Sequence, residues 1–379
     1  MDDRLKTILD GIGEVEFAAV AAGALGAERA TLVGSTEFVE LSTPHFDRKT
    51  IGIVRASGQA RAGDRATARP WSTVAKISDL SLAPHDGSFT HVEDEATVYE
   101  QRLFAGDGLR FRPARCYAIS RPTPSIRVLW LEDLIDAKGT PFDVPALKTI
   151  MRHLGEWNGH HAVRGTTVTI PMRRDGFATR WNSTGFREQL KEFPAFADAP
   201  GWRVAFGDLP SSIVPELYGL LDQLVAQTAT LPHAIAFGDL AAGNVFLKGD
   251  ETVAVDWASL TVDPLGVDGG CLPGSSLTWA GGATIAAAEL ELFEAYLAGL
   301  HEAGWTGNRD DVRRAFLCLF GIYQFTCGLM PVYCGKLHPY PREYLQARFK
   351  TSLETIPEVV AGVIQRFPAT IAELRRLVA

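Results

Sequence analysis

Lysine is rare in this sequence, and a surplus of basic charge is absent. Of the 379 residues only nine are lysine, and the formal net charge is −8. A protein that coats nucleic acid normally carries a clustered basic surface, so this composition argues against that class, and we expect no nucleic-acid partner. Because lysine is scarce, a lysine inside an apolar segment is a candidate for a specific role.

Cysteine is also sparse, and the five cysteines are scattered: Cys116, Cys271, Cys318, Cys327 and Cys334. None forms a C-x-x-C pair or has a histidine at zinc-finger spacing, which favours reduced thiols. The longest apolar stretches, such as 17–27, are far shorter than the ~20 residues of a membrane span. The first residues lack the basic and apolar regions of a secretory signal. We therefore expect a cytoplasmic protein without a membrane partner.

The apolar pattern divides the chain near residue 134. Before it, strand-like runs predominate, at 50–55, 72–77 and 125–131, with helical patterns at 6–22 and 93–104. After it, helical patterns predominate, at 144–158, 213–228, 290–297, 312–330 and 356–378, interrupted by a strand-and-loop island at 234–265. These patterns predict an α+β chain with a sheet-rich N-terminal lobe at 1–134 and a larger, mostly helical lobe at 135–379.

The island contains the residues with the clearest chemical use. It reads Phe-Gly-Asp-Leu-Ala-Ala-Gly-Asn over 237–244 and Val-Asp-Trp over 255–257. Phosphoryl transfer needs a carboxylate that orients the attacking hydroxyl and accepts its proton, a role that fits Asp239. It also needs oxygen ligands for Mg²⁺, and Asn244 and Asp256 fit that role. A hairpin over 245–255, turning at 248–250, is expected to return Asp256 beside Asn244.

This spacing alone is a weak signal. The interval from Asp239 to Asn244 equals that of a kinase catalytic loop, but an Asx-rich turn between two strands explains it equally well. The glycines Gly238 and Gly243 have Walker A spacing but are followed by Asn244, so the phosphate-binding P-loop is excluded.

Two further residues precede the island in an informative order. Lys76 ends a Val-Ala-Lys run in a strand, as a lysine that pairs α- and β-phosphates does, although a lysine at an exposed strand end is the commoner case. Glu95 follows at the start of a helix, where an acid can hold the lysine, or where it merely suits the helix dipole. The ordered series of Lys76, Glu95, Asp239, Asn244 and Asp256 favours the kinase interpretation.

These motifs resemble the aminoglycoside phosphotransferase and choline-kinase-like family of small-molecule kinases, over roughly residues 50–270. The block 237–245 is similar to the family's His-Gly-Asp-Leu-His-x-Gly-Asn loop, 255–257 to its metal-binding Asp-Trp, and 71–76 to its lysine strand. Two departures stand out, because Phe237 and Ala241 replace the two loop histidines. We expect Phe237 to brace the loop by packing.

The resemblance implies a two-lobed protein-kinase-like fold that binds ATP and Mg²⁺. It implies that the backbone of Glu132 to Leu134 receives adenine, and it places Gly52 near the phosphates, in a poorly defined glycine loop. The acceptor is expected against parts of 166–231 and the helices after Gly270. The predicted activity is phosphorylation of a hydroxyl on a small-molecule acceptor, with antibiotics (and hence antibiotic resistance), choline-like alcohols, sugars and nucleosides all allowed. A monomer or a homodimer is expected.

Two alternatives stay open. Phe237 and the thin glycine loop also suit a catalytically weak nucleotide-binding scaffold of the pseudokinase type. Separately, His153, Glu156 and His160 share one face of a predicted helix and could ligate a transition metal for hydrolysis, although Gly155 and Gly159 make that helix a poor platform.

Overall fold

The chain folds into two compact units. The computed structural model describes residues 1–41, 49–63, 67–82, 94–101, 108–165, 173–174, 176–181, 209, 212–227, 230–333, 346, 349–350 and 355–379. The first unit comprises 1–106 and 113–137, and the second comprises 107–112 and 138–379. Of the helices in the described ranges, none has an apolar stretch of membrane-spanning length.

In its described residues, the first unit is an antiparallel sheet with three helices. Its elements are α1 (Asp3–Asp10), α2 (Glu14–Ala24), β1 (Ala30–Glu40), β2 (Thr50–Ala62), β3 (Arg69–Asp79), α3 (Ala96–Glu100), β5 (Cys116–Ser120) and β6 (Ile126–Glu132). The five strands lie in the order β1-β2-β3-β6-β5, and every neighbouring pair is antiparallel. The described sheet is therefore continuous from β1 to β5.

The two faces of this sheet have different partners. Successive side chains of a strand point to opposite faces, so Ala75 and Ile77 of β3 share one face with Trp130 of β6. That face packs against α1 and α2 in one apolar cluster, through Leu5 and Val20 among others. The opposite face of β6 contributes Leu129 and Leu131 to a second cluster with Ala96 of α3. Lys76 falls on this second face, because it lies between Ala75 and Ile77.

The described part of the second unit is mostly helical and includes two small sheets. Its helices are α4 (Val144–Arg164), α5 (Gly176–Trp181), α6 (Ile213–Gln227), α7 (Val267–Ser276), α8 (Gly282–Ala287), α9 (Glu289–Glu302), α10 (Arg309–Tyr333), α11 (Ile356–Ile364) and α12 (Phe367–Val378). One sheet has the order β4-β10-β9, from Phe111–Pro113, Glu251–Ala254 and Val245–Lys248. The other has the order β7-β11-β8, from Arg173–Arg174, Thr261–Pro264 and His233–Ala236.

Helices α4 and α9 pack with almost no gap between their backbones. Asp143 caps α4 by accepting the N–H of Ala146 at 2.8 Å, and Gly165 ends the helix with a φ of 60°. A Cβ on Gly155 would lie 2.0 Å from the carbonyl oxygen of Tyr296, so only glycine fits there. The contact holds α4 directly against α9.

The predicted α+β class is confirmed, and the structure corrects several element boundaries. The helix expected at 6–22 is two helices, because Gly11 and Gly13 interrupt it between α1 and α2. The segment expected at 356–378 is also two helices, with Pro368 in the first turn of α12. Strands β1 and β5 were not predicted individually.

Candidate active site

Lys76 and Glu95 form a buried ion pair on the second face of the first unit's sheet. The Nζ of Lys76 lies 2.6 Å from Oε2 of Glu95, and the two side chains are 11% and 8% exposed. The scarce lysine thus lies in the buried stretch 75–77 of β3, and the acid immediately precedes α3. A lysine held this way presents one fixed positive charge, which is the arrangement that phosphate binding requires.

The thiol of Cys116 shares the environment of this pair. Burial, together with the negative charge of Glu95, raises its pKa to about 12. Cys116 lies on β5 opposite Leu131, and it packs against the apolar cluster that includes Ala96. Apolar side chains therefore lie beside the Lys76–Glu95 pair on this face of the sheet.

Gly52 lies in β2, beside the residue that pairs with Lys76, and its place near the phosphates stays a prediction. Its backbone pairs with Ile77, and a Cβ at this position would come 2.5 Å from Cδ2 of Leu5 in α1. Gly52 therefore faces the α1 side of the sheet, where the absent side chain makes room for Leu5. The connection from β1 to β2, at 42–48, lies outside the described residues.

Glu132 and Leu134, which were predicted to receive adenine, lie at the end of β6 and two residues beyond it. Glu132 is buried. Its backbone N–H donates to the carbonyl of Arg115 at 2.8 Å, and its carboxylate accepts the backbone N–H of Arg115 at 3.2 Å. The carbonyl of Leu134 accepts the N–H of Ala137 at 3.0 Å. Their role toward adenine stays a prediction.

Asp133, between these two residues, ties the segment to the sheet. Its carboxylate accepts the Nε–H of Arg55 at 2.8 Å and the hydroxyl of Ser72, and it also accepts the N–H of Ile135 at 3.1 Å. The segment after β6 is thus held to β2 and β3 by one buried carboxylate.

In the second unit, Asp239 and Asn244 lie in one tight loop between β8 and β9. The carbonyl of Asp239 accepts the N–H of Ala241 at 2.7 Å and the side-chain amide of Asn244 at 3.3 Å. Because the amide nitrogen of Asn244 is used in this bond, its carbonyl oxygen is the atom left to act as a hard ligand. Gly238 turns the chain with a φ of 84°, in a position where a Cβ would meet the carbonyl of Ser259 at 2.1 Å.

The hairpin of β9 and β10 returns the chain to Asn244. Lys248 of β9 lies opposite Glu251 of β10 in the strand register. The N–H of Val255 then donates to the carbonyl of Asn244 at 2.9 Å. Asp256 follows in the left-handed region, with a φ of 69° and a ψ of 65°. Non-glycine residues in that region cluster at functional sites. The backbone therefore brings Asp256 next to Asn244, and the two supply the amide and carboxylate oxygens that Mg²⁺ prefers.

Sequence reasoning missed Asp268 of α7, which fixes the entrance of the loop. Its carboxylate accepts the N–H of Phe237 at 2.7 Å and the N–H of Gly238 at 3.2 Å. The amide of Asn158 donates to it at 3.3 Å, and the hydroxyl of Tyr296 in turn donates to Asn158 at 2.9 Å. Asp268 stands beside two glycines in a predominantly apolar segment, which indicates a buried carboxylate. A buried carboxylate needs hydrogen-bond partners, but this pattern does not identify them.

Phe237 braces the loop by packing, as expected from the residue type. It is fully buried, and its ring lies 4.7 Å from that of Trp257, at an interplanar angle of 56°. The indole N–H of Trp257 donates to the carbonyl of Ala254 at 3.0 Å. The aromatic contact joins the start of the loop to the residue after Asp256.

The alternative metal site on α4 is not formed. Nδ1 of His153 lies 2.8 Å from Oγ1 of Thr252, and Glu156 pairs with Arg110 at 3.0 Å. Burial, together with the positive charges of Arg110 and Arg152, lowers the pKa of His153 to about 4. Across the described ranges, no group of three or more His, Cys, Asp or Glu side chains could hold a metal. His153 therefore packs against β10.

Most of 166–231, expected to line the acceptor, lies outside the described residues.

Comparison with known proteins gives structural but not sequence matches. No family model matches the sequence, and no curated protein matches it. Solved small-molecule kinases do align with most of the chain. An amicoumacin kinase in complex with AMP-PNP, Ca²⁺ and its ligand is 13% identical, with 94% of this chain and 96% of that chain covered and a TM-score of 0.48.

Two further structures show the same level of similarity. A microcompartment-associated aminopropanol kinase is 12% identical over 91% of this chain and 96% of that one, with a TM-score of 0.48. A choline kinase from Streptococcus pneumoniae is 13% identical over 96% and 100% of the two chains, with a TM-score of 0.43. These sequence identities and TM-scores are too low to assign a reaction to this chain. The assignment must come from the chain's own residues.

Proposed function

We propose that the protein is an ATP- and Mg²⁺-dependent phosphotransferase that phosphorylates a hydroxyl of a small molecule. The observation that carries this proposal is the loop at 237–244. One backbone carbonyl, that of Asp239, organises the turn and the amide of Asn244, and the hairpin returns Asp256 to the same place. Asp239, Asn244 and Asp256 thus bring three oxygen-bearing residues into one locality, as phosphoryl transfer requires.

In this proposal each of the five site residues has a separate role. Asp239 orients the acceptor hydroxyl and takes up its proton. Lys76, held by Glu95, binds the α- and β-phosphates of the nucleotide. Asn244 and Asp256 hold Mg²⁺, which when bound neutralises charge on the phosphates. The backbone of 132–134 receives adenine, tied in place by Asp133.

The identity of the acceptor is proposed only by class. Aminoglycosides and other antibiotics, choline-like amino alcohols, sugars and nucleosides form the panel that the family resemblance supports. If the acceptor is an antibiotic, the biological role we propose is resistance or self-protection.

The proposal is tested by incubating the protein with ATP, Mg²⁺ and each member of that panel. We expect one acceptor to gain the mass of one phosphoryl group, in a reaction that EDTA abolishes. If ATP binds with Mg²⁺ but no acceptor is phosphorylated, the nucleotide-binding scaffold replaces the kinase. Failure to bind ATP in the presence of Mg²⁺ contradicts both.

A further inference from the structure

Helix α7 holds the loop at a second point, beyond the bonds of Asp268. The hydroxyl of Ser275, in the last turn of α7, accepts the N–H of Ala242 at 2.9 Å. The same hydroxyl donates to the carbonyl of Leu272 at 2.9 Å, so both its donor and one of its acceptor positions are used. Ser275 is 2% exposed and Ala242 is fully buried, so water does not compete for this bond.

The bond lies at the end of the loop that carries Asn244. Ala242 begins the short 3₁₀ turn Ala242–Asn244, which closes when the N–H of Asn244 donates to the carbonyl of Ala241 at 2.9 Å. Asp268 and Ser275 are seven residues apart and therefore share one face of α7. The helix thus fixes the chain before Asp239, at 237–238, and again after it, at 242.

Ser276 provides a matched comparison within the same helix. It is 1% exposed, and its hydroxyl also donates to the carbonyl of Leu272 at 2.9 Å. Within the described part of the chain, this hydroxyl has no bond to the loop. The two serines therefore differ in the bond to Ala242 and are otherwise alike in burial and in their helical hydrogen bond.

We propose that Ser275 is a positioning residue for Asn244, and through it for the Mg²⁺ of the nucleotide. This inference rests on the proposed function, because it assumes that Asn244 is a metal ligand. Without the Ser275 hydroxyl, the buried N–H of Ala242 loses its acceptor, and the turn shifts to find another. Groups that orient metal ligands commonly change metal affinity tenfold or more when removed, although they do not touch the metal.

Two measurements on Ser275→Ala and Ser276→Ala test the inference. The first is hydrogen exchange of the backbone amides at 240–244 in the protein without nucleotide or metal, which does not depend on activity. The second is the Mg²⁺ concentration that half-saturates ADP binding, followed by calorimetry. We expect Ser275→Ala to exchange faster at 242–244 and to need about tenfold more Mg²⁺. Ser276→Ala should match the wild type in both.

The outcomes separate this inference from the proposed function. Equal exchange rates and equal Mg²⁺ dependence in the two variants overturn the role of Ser275 while the kinase proposal stands. If the wild-type protein binds no ADP at any Mg²⁺ concentration, the proposed function fails and the metal role of Ser275 fails with it. Should Ser275→Ala not fold, Ser275→Cys keeps nearly the same volume with a weaker acceptor and supports the same comparison.

Discussion

Oδ2 of Asp268 accepts the backbone N–H of Phe237 at 2.7 Å, and Oδ1 accepts the next N–H, that of Gly238, at 3.2 Å. A carboxylate that binds the backbone is indifferent to the side chain at the bound position. The replacement of a loop histidine by Phe237 therefore leaves this anchor in place, and Asp239 directly follows the two anchored residues. The loop is fixed by α7 whichever residue stands at 237.

Replacing Asp268 by asparagine is expected to loosen this loop. The amide group offers one acceptor oxygen and one NH₂ group, so one of the two backbone N–H groups loses its partner. We expect a loss of about 2 kcal/mol in the free energy of unfolding, measured by urea denaturation, together with a strong fall in kcat.

The control for this substitution is Asp263→Asn. Asp263 is equally buried and accepts the N–H of Phe177 at 2.9 Å, in a different element of the same unit. The Asp263→Asn variant should be less stable than the wild type but should keep the wild-type kcat under conditions where it is folded. If Asp263→Asn and Asp268→Asn lose kcat to the same extent, the anchor has no specific role in the reaction.

Lys76→Met and Glu95→Gln are both expected to weaken nucleotide binding. Lys76→Met removes the charge that we propose binds the phosphates, and Glu95→Gln releases the lysine from its ion pair. We expect the Kd for ATP with Mg²⁺ to rise about tenfold or more, with the double variant little worse than Lys76→Met, because the two residues act as one unit.

Arg127→Gln is the matched control for that pair. Arg127 bonds to Asp94 at 2.8 Å, in an ion pair that also joins β6 to the start of α3. This change should leave the Kd for ATP within about twofold of wild type, as expected for a partly exposed pair. An equal rise in the Kd for ATP in Lys76→Met, Glu95→Gln and Arg127→Gln would indicate that the loss of affinity comes from the packing of α3 alone.

Sequence reasoning succeeded where the determinants are local or ordered along the chain. The hairpin at 245–255 was predictable, because Gly249 supplies a turn with a φ of 64° between two short strands. The pairing of Lys76 with Glu95 was predictable from the order of a Val-Ala-Lys run in a strand and an acid at the start of a helix.

Sequence reasoning failed where a feature depends on register or on distant contacts. The side of the sheet that Gly52 faces could not be predicted, because a shift of one residue in a strand reverses its side and only the pairing with Ile77 settles it. Asp268 was missed because its partners lie thirty and thirty-one residues away, beyond any local pattern. Ser275 was missed for the same reason.

The thiol of Cys116 should be unreactive in the folded protein. Its pKa is raised to about 12 by burial and by the charge of Glu95, so almost no thiolate exists near neutral pH. We expect negligible alkylation by iodoacetamide at pH 8, read by mass spectrometry of the peptide that contains Cys116, and rapid alkylation after unfolding in urea. Rapid alkylation of the native protein would contradict the burial of this face.

Stability should fall in mild acid because of two buried histidines. Burial lowers the pKa of His153 and of His161 to about 4, against about 6.5 in the unfolded chain. Between these values the unfolded chain binds protons that the folded chain excludes, so the free energy of unfolding decreases as pH falls from about 6.5 to about 4. Below about 4 both states are protonated, and this contribution to the slope ends.

Urea denaturation at several pH values measures this dependence. His153→Gln keeps a group that can bond to Thr252 and removes the titration, so its unfolding free energy should depend less on pH across the same window. His161→Gln should flatten the dependence as well, and the double variant more than either. Variant curves parallel to the wild-type curve would show that neither histidine titrates as described.

The central claim is that Asp239 serves the chemical step of a phosphoryl transfer. The most direct measurement compares Asp239→Asn with Asp250→Asn, an exposed aspartate in the turn of the neighbouring hairpin. With an acceptor found in the panel, we expect Asp239→Asn to lower kcat by a factor of about 100 or more while the Kd for ATP with Mg²⁺ is unchanged. Asp250→Asn should retain wild-type kcat and Kd. Phosphorylation at the wild-type rate by Asp239→Asn would contradict the account.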